Sequence, residues 1–378
     1  MKILFVGLTT HYTENLNYQG NLFNKVLSQK GYEILFLADT QCFVDGVLRF
    51  TLPGEYFDEN GVKIIRVPYL ISNSIGSKLK LFMSIYHYIN DFKPDIIYCH
   101  SPQYFSVFDI IKYKNKHPNV RLYADTHTSF VNYKKGFFSY WLLYKAYYKT
   151  LYKALEPYLE KYFYIGLGEK EFSEKVYNAD PLKMEFLPLS GEEITNAKYG
   201  EYKKEIREKH NISDDDIVLF HSGKLSKDKN TDWIINSVKK INKKNVKLII
   251  SGSIPEDNTY LKSIIANNTN IIYTGWISGN DLIKYLCASD LYCQPGAPSV
   301  TLQTAICSKT PILCYKHQFY SYLYDFKNII WIENQDDIVT YVRKIVDDKT
   351  VLKSLKQYAN ENSYKLDTRY LLNRVLGV

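Results

Sequence analysis

Two short stretches place side chains capable of chemistry directly after apolar runs. HSGKLSKDKN, at 221–230 and called the lysine turn below, crowds three lysines around Gly223. ADTHTSF, at 124–130, carries Asp125 and His127, which point the same way along an extended strand. The carboxylate could orient the imidazole or accept a proton from a hydroxyl group. The alternatives are a solvated surface turn and a hydrogen-bonded core histidine, so the surrounding elements must decide.

Short apolar segments alternate with helical ones along the chain. The first series is KILFVG, EILFLA, VKIIRV, DIIYCH and RLYAD; the second is DIVLFHSG, VKLIISG, IIYTG, LYCQPG, PILCY and IIWI. Segments that are apolar nearly throughout, without alternation, are typical of strands buried on both faces of a sheet. Helices between such strands imply right-handed crossovers. The pattern therefore predicts an α/β protein with two Rossmann-like, doubly wound parallel-sheet domains.

A polar, turn-rich link at 183–203 separates the two series. It predicts an N-terminal domain at 1–190 and a C-terminal domain at 191–355. A final helix at about 356–378 would be able to pack back on the first domain. Ligands bind at the carboxyl ends of strands in open α/β sheets, and strands of the second series repeatedly end in glycine there. Two such domains are expected to face each other across a central cleft.

Composition and charge narrow the classes of function. The chain has 378 residues, 46% of them hydrophobic, and a net charge of +8. Residues 1–168 carry +6 of that charge, which favours an anionic neighbour such as a lipid surface or a phosphorylated substrate. No nucleic-acid motif is present, so nucleic acid is not expected as a partner. The N-terminus does not read as a signal peptide and no apolar run approaches eighteen residues, which predicts no membrane span. The six cysteines form no CxxC pair and no metal spacing, and indicate buried thiols in a reducing cytosol.

The lysine turn resembles the G-R-L-x-x-x-K-G turn of retaining GT-B glycosyltransferases of family four. Lys224 stands at the arginine of that turn, Lys229 at its lysine and Asn230 at its last glycine. The order and spacing continue through NIIYTGWIS at 270–278, DLIKYLCASDLYCQPG at 281–296 and SVTLQTAICSKTPIL at 299–313. The first half agrees more loosely, through DIIYCHSPQ and YADTHTSF. The resemblance covers nearly the whole chain and is more specific in the second half.

The resemblance implies a nucleotide-diphosphate sugar, UDP- or GDP-linked, as donor substrate, with no cofactor and no bound metal. Lys224 and Lys229, next to Gly223, would neutralise the diphosphate together with amides at a helix N-terminus, and would stabilise charge as it departs. The nucleotide base would be held after a strand by Gly275, Trp276 and Ile277. A tryptophan in that place more commonly serves packing, so stacking and packing both stay open.

The helix after the PGAP segment departs from the family pattern. With Pro311 set on the proline of the family, Gly296 and Thr304 occupy the positions of its two glutamates, so both acids are absent. The amides of Ser299 and Val300 could still bind phosphate, while Gln303 or Thr304 could bind a ribose. A related branch among polysaccharide-assembling enzymes commonly lacks the first acid.

On the acceptor side, the resemblance places His127 beside the donor sugar, with Asp125 as its partner and both as catalytic candidates. The first βα turn would bring Thr9, Thr10 and His11 to the cleft. His100, at the end of DIIYCH, is expected to be structural.

A tyrosine- and lysine-rich stretch covers 134–164. Read as a helix, it places Lys145, Lys149 and Lys153 in one stripe, beside a sector of aromatic residues at 141, 144, 148 and 152. Such a pattern suits peripheral contact with an anionic membrane. The alternative is a core helix with a solvated lysine face.

The sequence thus predicts a metal-independent, retaining, hexosyltransferase-type glycosyltransferase acting in cell-surface polysaccharide biosynthesis. It would use a nucleotide sugar and a glycan or lipid-linked acceptor, in the cytoplasm or at the inner face of the cell membrane. Two alternatives stay open: a GT-B-fold UDP-sugar epimerase, and a non-catalytic partner protein that has lost the two glutamates.

Overall fold

A computed structural model describes residues 1–16, 18–44, 47–133, 136–137, 139–256, 258–266, 268 and 270–377. The chain divides into two compact units, Met1–Pro188 and Leu189–Val378. Each unit is an α/β domain built on its own sheet. In the part of the chain described, no helix is both long enough and apolar enough to cross a bilayer.

The first unit contains an eight-stranded sheet in the order β10-β9-β8-β7-β1-β2-β6-β5, parallel except for β5, and a separate β3–β4 hairpin. Its strands are β1 (Lys2–Gly7), β2 (Glu33–Ala38), β3 (Gln41–Val44), β4 (Val47–Phe50), β5 (Gly54–Phe57), β6 (Lys63–Arg66), β7 (Ile96–His100), β8 (Arg121–Thr126), β9 (Lys161–Tyr164) and β10 (Met184–Phe186). Its α-helices are α1 (Gln19–Gln29), α2 (Asn73–Leu79), α3 (Tyr86–Phe92), α4 (Val107–Lys116), α5 (Lys149–Leu155) and α6 (Leu167–Phe172). Wider, π-type helices cover Ser139–Tyr148 and Ser173–Tyr177, and a 3₁₀ turn covers Glu156–Tyr158.

The second unit contains a six-stranded, fully parallel sheet in the order β13-β12-β11-β14-β15-β16. Its strands are β11 (Ile217–Ser222), β12 (Val246–Ser251), β13 (Ile271–Gly275), β14 (Leu291–Gln294), β15 (Ile312–Tyr315) and β16 (Ile329–Ile332). Its α-helices are α7 (Asn196–Lys209), α8 (Thr231–Ile241), α9 (Thr259–Ala266), α10 (Gly279–Ala288), α11 (Thr301–Cys307), α12 (Gln335–Asp347), α13 (Lys349–Asn362) and α14 (Thr368–Leu376). Short 3₁₀ turns cover Lys227–Lys229, Gln318–Leu323 and Ser363–Leu366.

Burial explains why the strands of the second unit are apolar without alternation. Along β11, Leu219 packs into the core on one face of the sheet, whereas Val218 and Phe220 pack into the core on the other. Both faces of this sheet are therefore covered, as a parallel sheet with helices on each side requires. The two doubly wound parallel-sheet domains predicted from the sequence are confirmed.

The end of the chain differs from the single helix predicted at about 356–378. α13 stops at Asn362, and α14 begins at Thr368 after a 3₁₀ turn, because Asp367 caps α14 through the amides of Arg369 and Tyr370. The same segment binds the start of the second unit. The amide of Thr368 donates to the carbonyl of Gly191 over 2.9 Å, and α13 and α14 both belong to this unit.

Five of the six cysteines are buried and all six are free thiols. Burial raises the pKa of Cys287 and Cys293 to about 12 each. The prediction of buried thiols is confirmed for all but Cys42, which is partly exposed.

Candidate functional site

The lysine turn begins where two strand ends of the second unit come into direct backbone contact. Gly223 and Gly252, after β11 and β12, have φ angles of 134° and 140°, which favour glycine. A Cβ atom added to Gly252 would lie 1.7 Å from the carbonyl oxygen of Gly223. The amide of Gly223 donates to the carbonyl of Ser251 over 3.1 Å. The glycines therefore let two loops run side by side at the carboxyl edge of the sheet.

His221 fixes the base of the lysine turn. Its Nδ1 donates to the carbonyl oxygen of Cys293 over 2.8 Å, and its Nε2 accepts from the hydroxyl of Thr231 over 3.0 Å. Burial, with a smaller contribution from the nearby Lys229 ammonium, lowers the pKa of His221 to about 4. The neutral ring thus ties β11 to β14 and to the first residue of α8, and its role is structural.

Lys229 is held over the loop that follows β14. Its Nζ donates to the carbonyl oxygens of Ala297 and Pro298, over 2.9 Å each. Asn230, at a φ of 52°, donates from Nδ2 to the carbonyl of Pro295 over 3.1 Å. Burial lowers the pKa of Lys229, and the Asp228 carboxylate opposes that effect only in part. An ammonium group is therefore held half-buried with no carboxylate bound to it among the described residues.

Lys224 is exposed at the mouth of a groove of about 660 Å³. Lys227 is also exposed, and it lines the same groove. The remaining walls come from the lysine turn itself, the start of α8 and the start of α9: Leu225, Ser226, Thr231, Asp232, Pro255, Asn258, Thr259, Tyr260 and Leu261. Two ammonium groups and two helix N-termini at one groove suit an anionic ligand.

Gly296 lies against the lysine turn. A Cβ atom added there would lie 2.2 Å from the carbonyl oxygen of Asp228 and 2.7 Å from the carbonyl carbon of Lys229. The amide of Ala297 donates to that same Asp228 oxygen over 2.9 Å. The backbone of the turn thus occupies the place where a side chain at 296 would begin. A glutamate is therefore sterically excluded at this position, and not merely absent.

The segment after Gly296 presents backbone groups and few free side chains. The amide of Ser299 donates to the hydroxyl of Tyr320 over 2.7 Å, so this amide is already occupied. Val300 is 53% exposed directly before α11. Gln303 is buried, and its amide nitrogen donates to the hydroxyl of Tyr322 over 2.7 Å.

This placement changes the prediction for the ribose. Gln303 is enclosed within the second unit, where its side-chain amide donates to the hydroxyl of Tyr322 and does not face a ligand. Thr304 is half-buried and therefore has more access to the surface. Between the two residues proposed from the sequence, the structure favours Thr304.

The residues proposed for the nucleotide base lie at the end of β13, of which Gly275 is the last residue. Gly275 has a φ of 71° and its carbonyl oxygen accepts from the amide of Gly252 over 2.7 Å. Ile277 is half-buried against the core, whereas Trp276 is 72% exposed. Packing, the more common role for a tryptophan after a strand, therefore does not account for Trp276. Its indole is free to stack on a planar ligand.

In the first unit, two imidazoles share one buried carboxylate at the carboxyl edge of the sheet. His100 Nδ1 lies 2.7 Å and His127 Nε2 lies 3.5 Å from the same Oδ2 of Asp125, which is fully buried. The hydroxyl of Tyr98 and the amide of Ser101 also donate to this carboxylate, over 3.0 Å each. The two rings lie 4.3 Å apart between centroids.

The electrostatics of this cluster define the role of Asp125. Burial alone would raise the pKa of Asp125, but the charges and hydrogen bonds of His100 and His127 outweigh it and hold that pKa well below its ordinary range. A buried, ionised carboxylate that accepts from Tyr98 and Ser101 and lies beside both imidazoles is placed to orient them. It is not placed to take a proton from an acceptor hydroxyl, which was the other role considered for it.

His100 belongs to this cluster, although the sequence suggested a separate structural role. The parallel pairing of β7 with β8 puts His100 in register with Asp125. The ligand atoms of His100, Asp125 and His127 lie within 4.8 Å of one another, so these three could also hold a metal ion. The signal for His100 lay in the adjacency of two histidine-bearing strand ends, which a single sequence does not specify.

The residues of the first turn lie nearby at the same edge. Thr9 donates its hydroxyl to the carbonyl oxygens of His100 and Ser101, over 3.3 and 3.1 Å, which places it next to the histidine cluster. Thr10 donates back to the carbonyl of Gly7 over 2.9 Å. His11, at a φ of 52°, contacts Asp39 through Nδ1 over 2.8 Å.

Comparison with solved structures defines the fold. The chain is similar to a sucrose-phosphate synthase of Thermosynechococcus elongatus (12% identity, TM-score 0.67, 100% of this chain and 97% of that one). It is also similar to HepE of Anabaena in complex with UDP (11%, 0.68, 100% and 99%) and to WaaG, a glycosyltransferase involved in lipopolysaccharide biosynthesis (14%, 0.58, 100% of both). The fold is therefore GT-B.

Comparison with protein families is more specific for the second unit. Residues 202–364 match the family described as glycosyl transferases group 1. This range includes the lysine turn, Gly296 and Trp276, and it supports a glycosyltransferase. No curated protein sequence matches the chain significantly.

Proposed function

We propose that this protein is a retaining, metal-independent glycosyltransferase that moves a hexose from a nucleotide-diphosphate sugar to a glycan or lipid-linked acceptor. The observation that carries the proposal is the half-buried ammonium of Lys229, which binds the carbonyls of Ala297 and Pro298 and no carboxylate in the described part of the chain. It lies within the segment that matches glycosyl transferases group 1. A cation kept partly out of water without a carboxylate partner is a ready site for a diphosphate.

The donor is a UDP- or GDP-linked sugar. HepE of Anabaena has been crystallised with UDP and with UDP-glucose, and it shares the fold of this chain. The diphosphate would lie by Lys224 and Lys229, next to Gly223. The base would stack on Trp276 beside the backbone of Gly275. Because the leaving nucleotide gains negative charge in the transition state, the two lysines would bind that state more tightly than the intact donor.

On the acceptor side, His127 is proposed as the polar contact for the transferred sugar, with Asp125 and His100 holding its ring. As the bond between the sugar and the diphosphate breaks, positive charge develops at the anomeric carbon, and the fixed imidazole would contact the sugar there. The acceptor hydroxyl would attack from the face that the diphosphate leaves and pass its proton to the departing phosphate oxygen, which gives retention. Thr9, Thr10 and His11 would contact the acceptor at the same sheet edge.

The setting is proposed to be cell-surface polysaccharide assembly in the cytoplasm, at the inner face of the membrane. Two proteins of similar fold are described as a lipopolysaccharide glycosyltransferase, WaaG, and as the lipopolysaccharide outer core galactosyltransferase WaaB. Their names supply the support for this setting.

Membrane contact through 134–164 is retained in a narrower form. Tyr144, Tyr148 and Tyr152 are buried in the core of the first unit, so most of the predicted aromatic sector serves packing. Trp141 and Leu142 are 48% and 64% exposed, and the ammonium of Lys145 lies 4.8 Å from the centre of the Trp141 ring. Lys134 and Lys135 lie outside the described residues.

The membrane proposal can be tested by cosedimentation with phosphatidylglycerol vesicles. Trp141→Ala and Leu142→Ala should weaken binding, and Tyr260→Ala, an equally exposed aromatic residue of the second unit, should not. If all variants bind the vesicles equally, the proposal of membrane contact is wrong.

The donor assignment can be tested by thermal shift against a panel of UDP- and GDP-sugars, because a bound ligand raises stability by mass action. Lys224→Ala and Lys229→Ala should each lose most of the donor-induced shift. Lys239→Ala, an exposed lysine at the far end of α8, is the matched control and should keep it. Lys229→Ala should also lower the melting temperature without ligand, because it releases two carbonyls, whereas Lys224→Ala should not. Unchanged donor shifts in both variants would refute the assignment.

The two alternative functions are separated by product analysis. Slow release of free sugar from the donor by purified protein distinguishes an enzyme from a non-catalytic partner. An isomerised nucleotide sugar formed without any acceptor would instead indicate an epimerase. A glutamate is sterically excluded at Gly296, and this observation is the reason for testing the non-catalytic alternative.

A further inference from the structure

The histidine cluster of the first unit has the composition of a metal site. His100, Asp125 and His127 offer two imidazole nitrogens and one carboxylate oxygen, and these three atoms lie within 4.8 Å of one another. Among the residues that the structure describes, no other group of three or more histidine, cysteine, aspartate or glutamate side chains meets in this way. The proposed sugar transfer uses the cluster without a metal, so metal binding would be a second capacity of the same residues.

The separations within the cluster fit one central ion. Oδ2 of Asp125 lies 2.7 Å from Nδ1 of His100 and 3.5 Å from Nε2 of His127. Because the two nitrogens are at most 4.8 Å apart, a point equidistant from all three atoms lies no more than about 2.4 Å from each. Zinc binds histidine nitrogen at about 2.0–2.1 Å and carboxylate oxygen at about 2.0–2.2 Å. The three side chains would therefore have to shift by less than about 1 Å to hold a zinc ion.

One of the two nitrogens lacks a hydrogen-bond partner. Nε2 of His127 is buried, and nothing in the described part of the chain satisfies it. Its separation of 3.5 Å from Asp125 is too long for a good hydrogen bond. A buried polar atom without a partner is uncommon, and an ion is one of the groups that can supply the missing contact.

Asp125 is held as a ligand that offers one oxygen. The side chain is fully buried, and Oδ1 accepts from the amide of Ser101 over 3.0 Å, which leaves Oδ2 facing the two imidazoles. The hydroxyl of Tyr98 donates to Oδ2 over 3.0 Å. Hydrogen bonds of this kind fix the orientation of a metal-binding carboxylate and raise its affinity for the ion.

The types of ligand select the metal. Imidazole nitrogens suit zinc and its neighbours among the transition metals, whereas magnesium and calcium prefer sites made of oxygen ligands. The side chains of His100 and His127 are 17% and 27% exposed, so an ion can reach the cluster from solvent. An ion held by three protein ligands keeps its fourth position for water or a hydroxyl group.

We propose that His100, Asp125 and His127 bind one zinc ion, and that the bound ion inhibits sugar transfer. The inhibitory part rests on the proposed function. In that reaction positive charge develops at the anomeric carbon, which His127 contacts, and a divalent cation at the same place would oppose it. Zinc binding itself is independent of the reaction and can be measured without it.

The test is calorimetric titration of the full chain, first freed of metal with EDTA and dialysed, with zinc chloride. One zinc ion per chain should bind, whereas magnesium chloride at the same concentration should not. Tyr98→Phe should weaken zinc binding by about 10- to 100-fold, and His127→Asn and Asp125→Asn should each weaken it further. The matched control is His11→Asn, which should bind zinc like the original chain. Nδ1 of His11 lies 2.8 Å from the buried carboxylate of Asp39, but this pair has no third ligand in the described part of the chain.

Measurements of activity separate the site from its effect. Saturating zinc should slow the release of sugar from the donor by about tenfold or more, and EDTA should restore the rate. The thermal shift caused by UDP should persist with zinc bound, so a slower reaction cannot be ascribed to lost donor binding. Melting temperatures without ligand separate lost zinc binding from unfolding. If Asp125→Asn unfolds because its side chain is fully buried, His127→Asn, at a partly exposed one, still tests the site.

Each contrary outcome has a separate meaning. If the original chain binds no zinc, or if binding survives the folded His127→Asn variant, the zinc site is wrong. Zinc that binds without slowing the reaction would overturn only its inhibitory role. A chain that is inactive both with and without zinc would count against the proposed function and its inhibition, whereas the zinc site is judged by the titration alone.

Discussion

Alanine in place of Gly296 would put one methyl group against the backbone of the lysine turn. Its ideal Cβ position is 2.2 Å from the Asp228 carbonyl oxygen, whereas carbon and carbonyl oxygen normally approach to about 3.3 Å. The turn must therefore move by about 1 Å. The backbone at Gly296 does not have a positive φ, so alanine adds no conformational strain of its own.

Two effects of different kind should follow. Overpacking of this size costs about 1–3 kcal/mol, and for a unit of this length each kcal/mol lowers the melting temperature by roughly 2–4 °C. Displacing the turn also moves Lys229 away from the diphosphate. A hydrogen bond to a charged group contributes about 1.5–3 kcal/mol, so UDP should bind about 10- to 150-fold more weakly.

The assay is thermal unfolding with and without UDP, with Gly200→Ala as a matched control. Gly200 lies inside α7, where no described atom lies within 4 Å of an added Cβ. There, alanine should stabilise the protein by about 0.5–1 kcal/mol and leave UDP binding unchanged. If Gly296→Ala melts and binds UDP like the original chain while the control behaves as stated, the steric account of the missing glutamate is wrong.

Three further predictions concern the binding of the nucleotide base and two buried titratable groups. Trp276→Ala should weaken UDP binding by about 5- to 150-fold, since stacking contributes about 1–3 kcal/mol, and should leave the melting temperature unchanged. Trp141→Ala, the control, should change neither UDP binding nor the melting temperature. For His221, the unfolded imidazole takes up a proton near its ordinary pKa of 6.5 but the folded one only at about 4, so the free energy of unfolding should fall by about 3 kcal/mol as the pH drops through that window. Urea denaturation between pH 7 and 4 measures this, and His221→Gln should give a flatter profile. For Asp125, the folded pKa lies below the ordinary 3.8, so the stabilisation from its ionised form is present above about pH 4 and is lost below it. The difference in unfolding free energy between the original chain and Asp125→Asn should therefore narrow below about pH 4. A constant difference would contradict the assignment.

The fold was largely predictable because local pattern and tertiary context agree. All eleven apolar segments singled out in the sequence are strands, since burial on both faces leaves a continuous apolar signal. The β3–β4 hairpin and the antiparallel strand β5 were not predicted, because they are short and their residues are largely exposed, so no apolar run marks them. The strands β9 and β10 were not predicted either, and β9 corrects the helical reading of 134–164 at its end, since Lys161–Tyr164 is a strand.

The site was less predictable because it depends on which strand ends become neighbours. His100 joins Asp125 only through the register of β7 with β8. The crowding at Gly296 arises from Asp228, which is far away in the sequence. Gln303 has the right chemistry for a ribose, but helix α11 turns it towards Tyr322. Residue type indicates possible chemistry, while access and partners are decided by packing.

The hydrogen bonds between the Ser190–Gly191 segment and Asp367–Thr368 also order events during synthesis. Thr368 donates its hydroxyl to the carbonyl of Gly191 over 2.8 Å and to the hydroxyl of Ser190 over 2.9 Å. As the polypeptide leaves the ribosome, the first unit has every partner it needs long before these contacts exist. The second unit must wait until residue 368 has emerged, because until then the Ser190–Gly191 segment lacks these partners. Ribosome-bound chains halted before 367 should therefore expose the Ser190–Gly191 segment to protease, and chains halted well beyond 376 by an added linker should protect it.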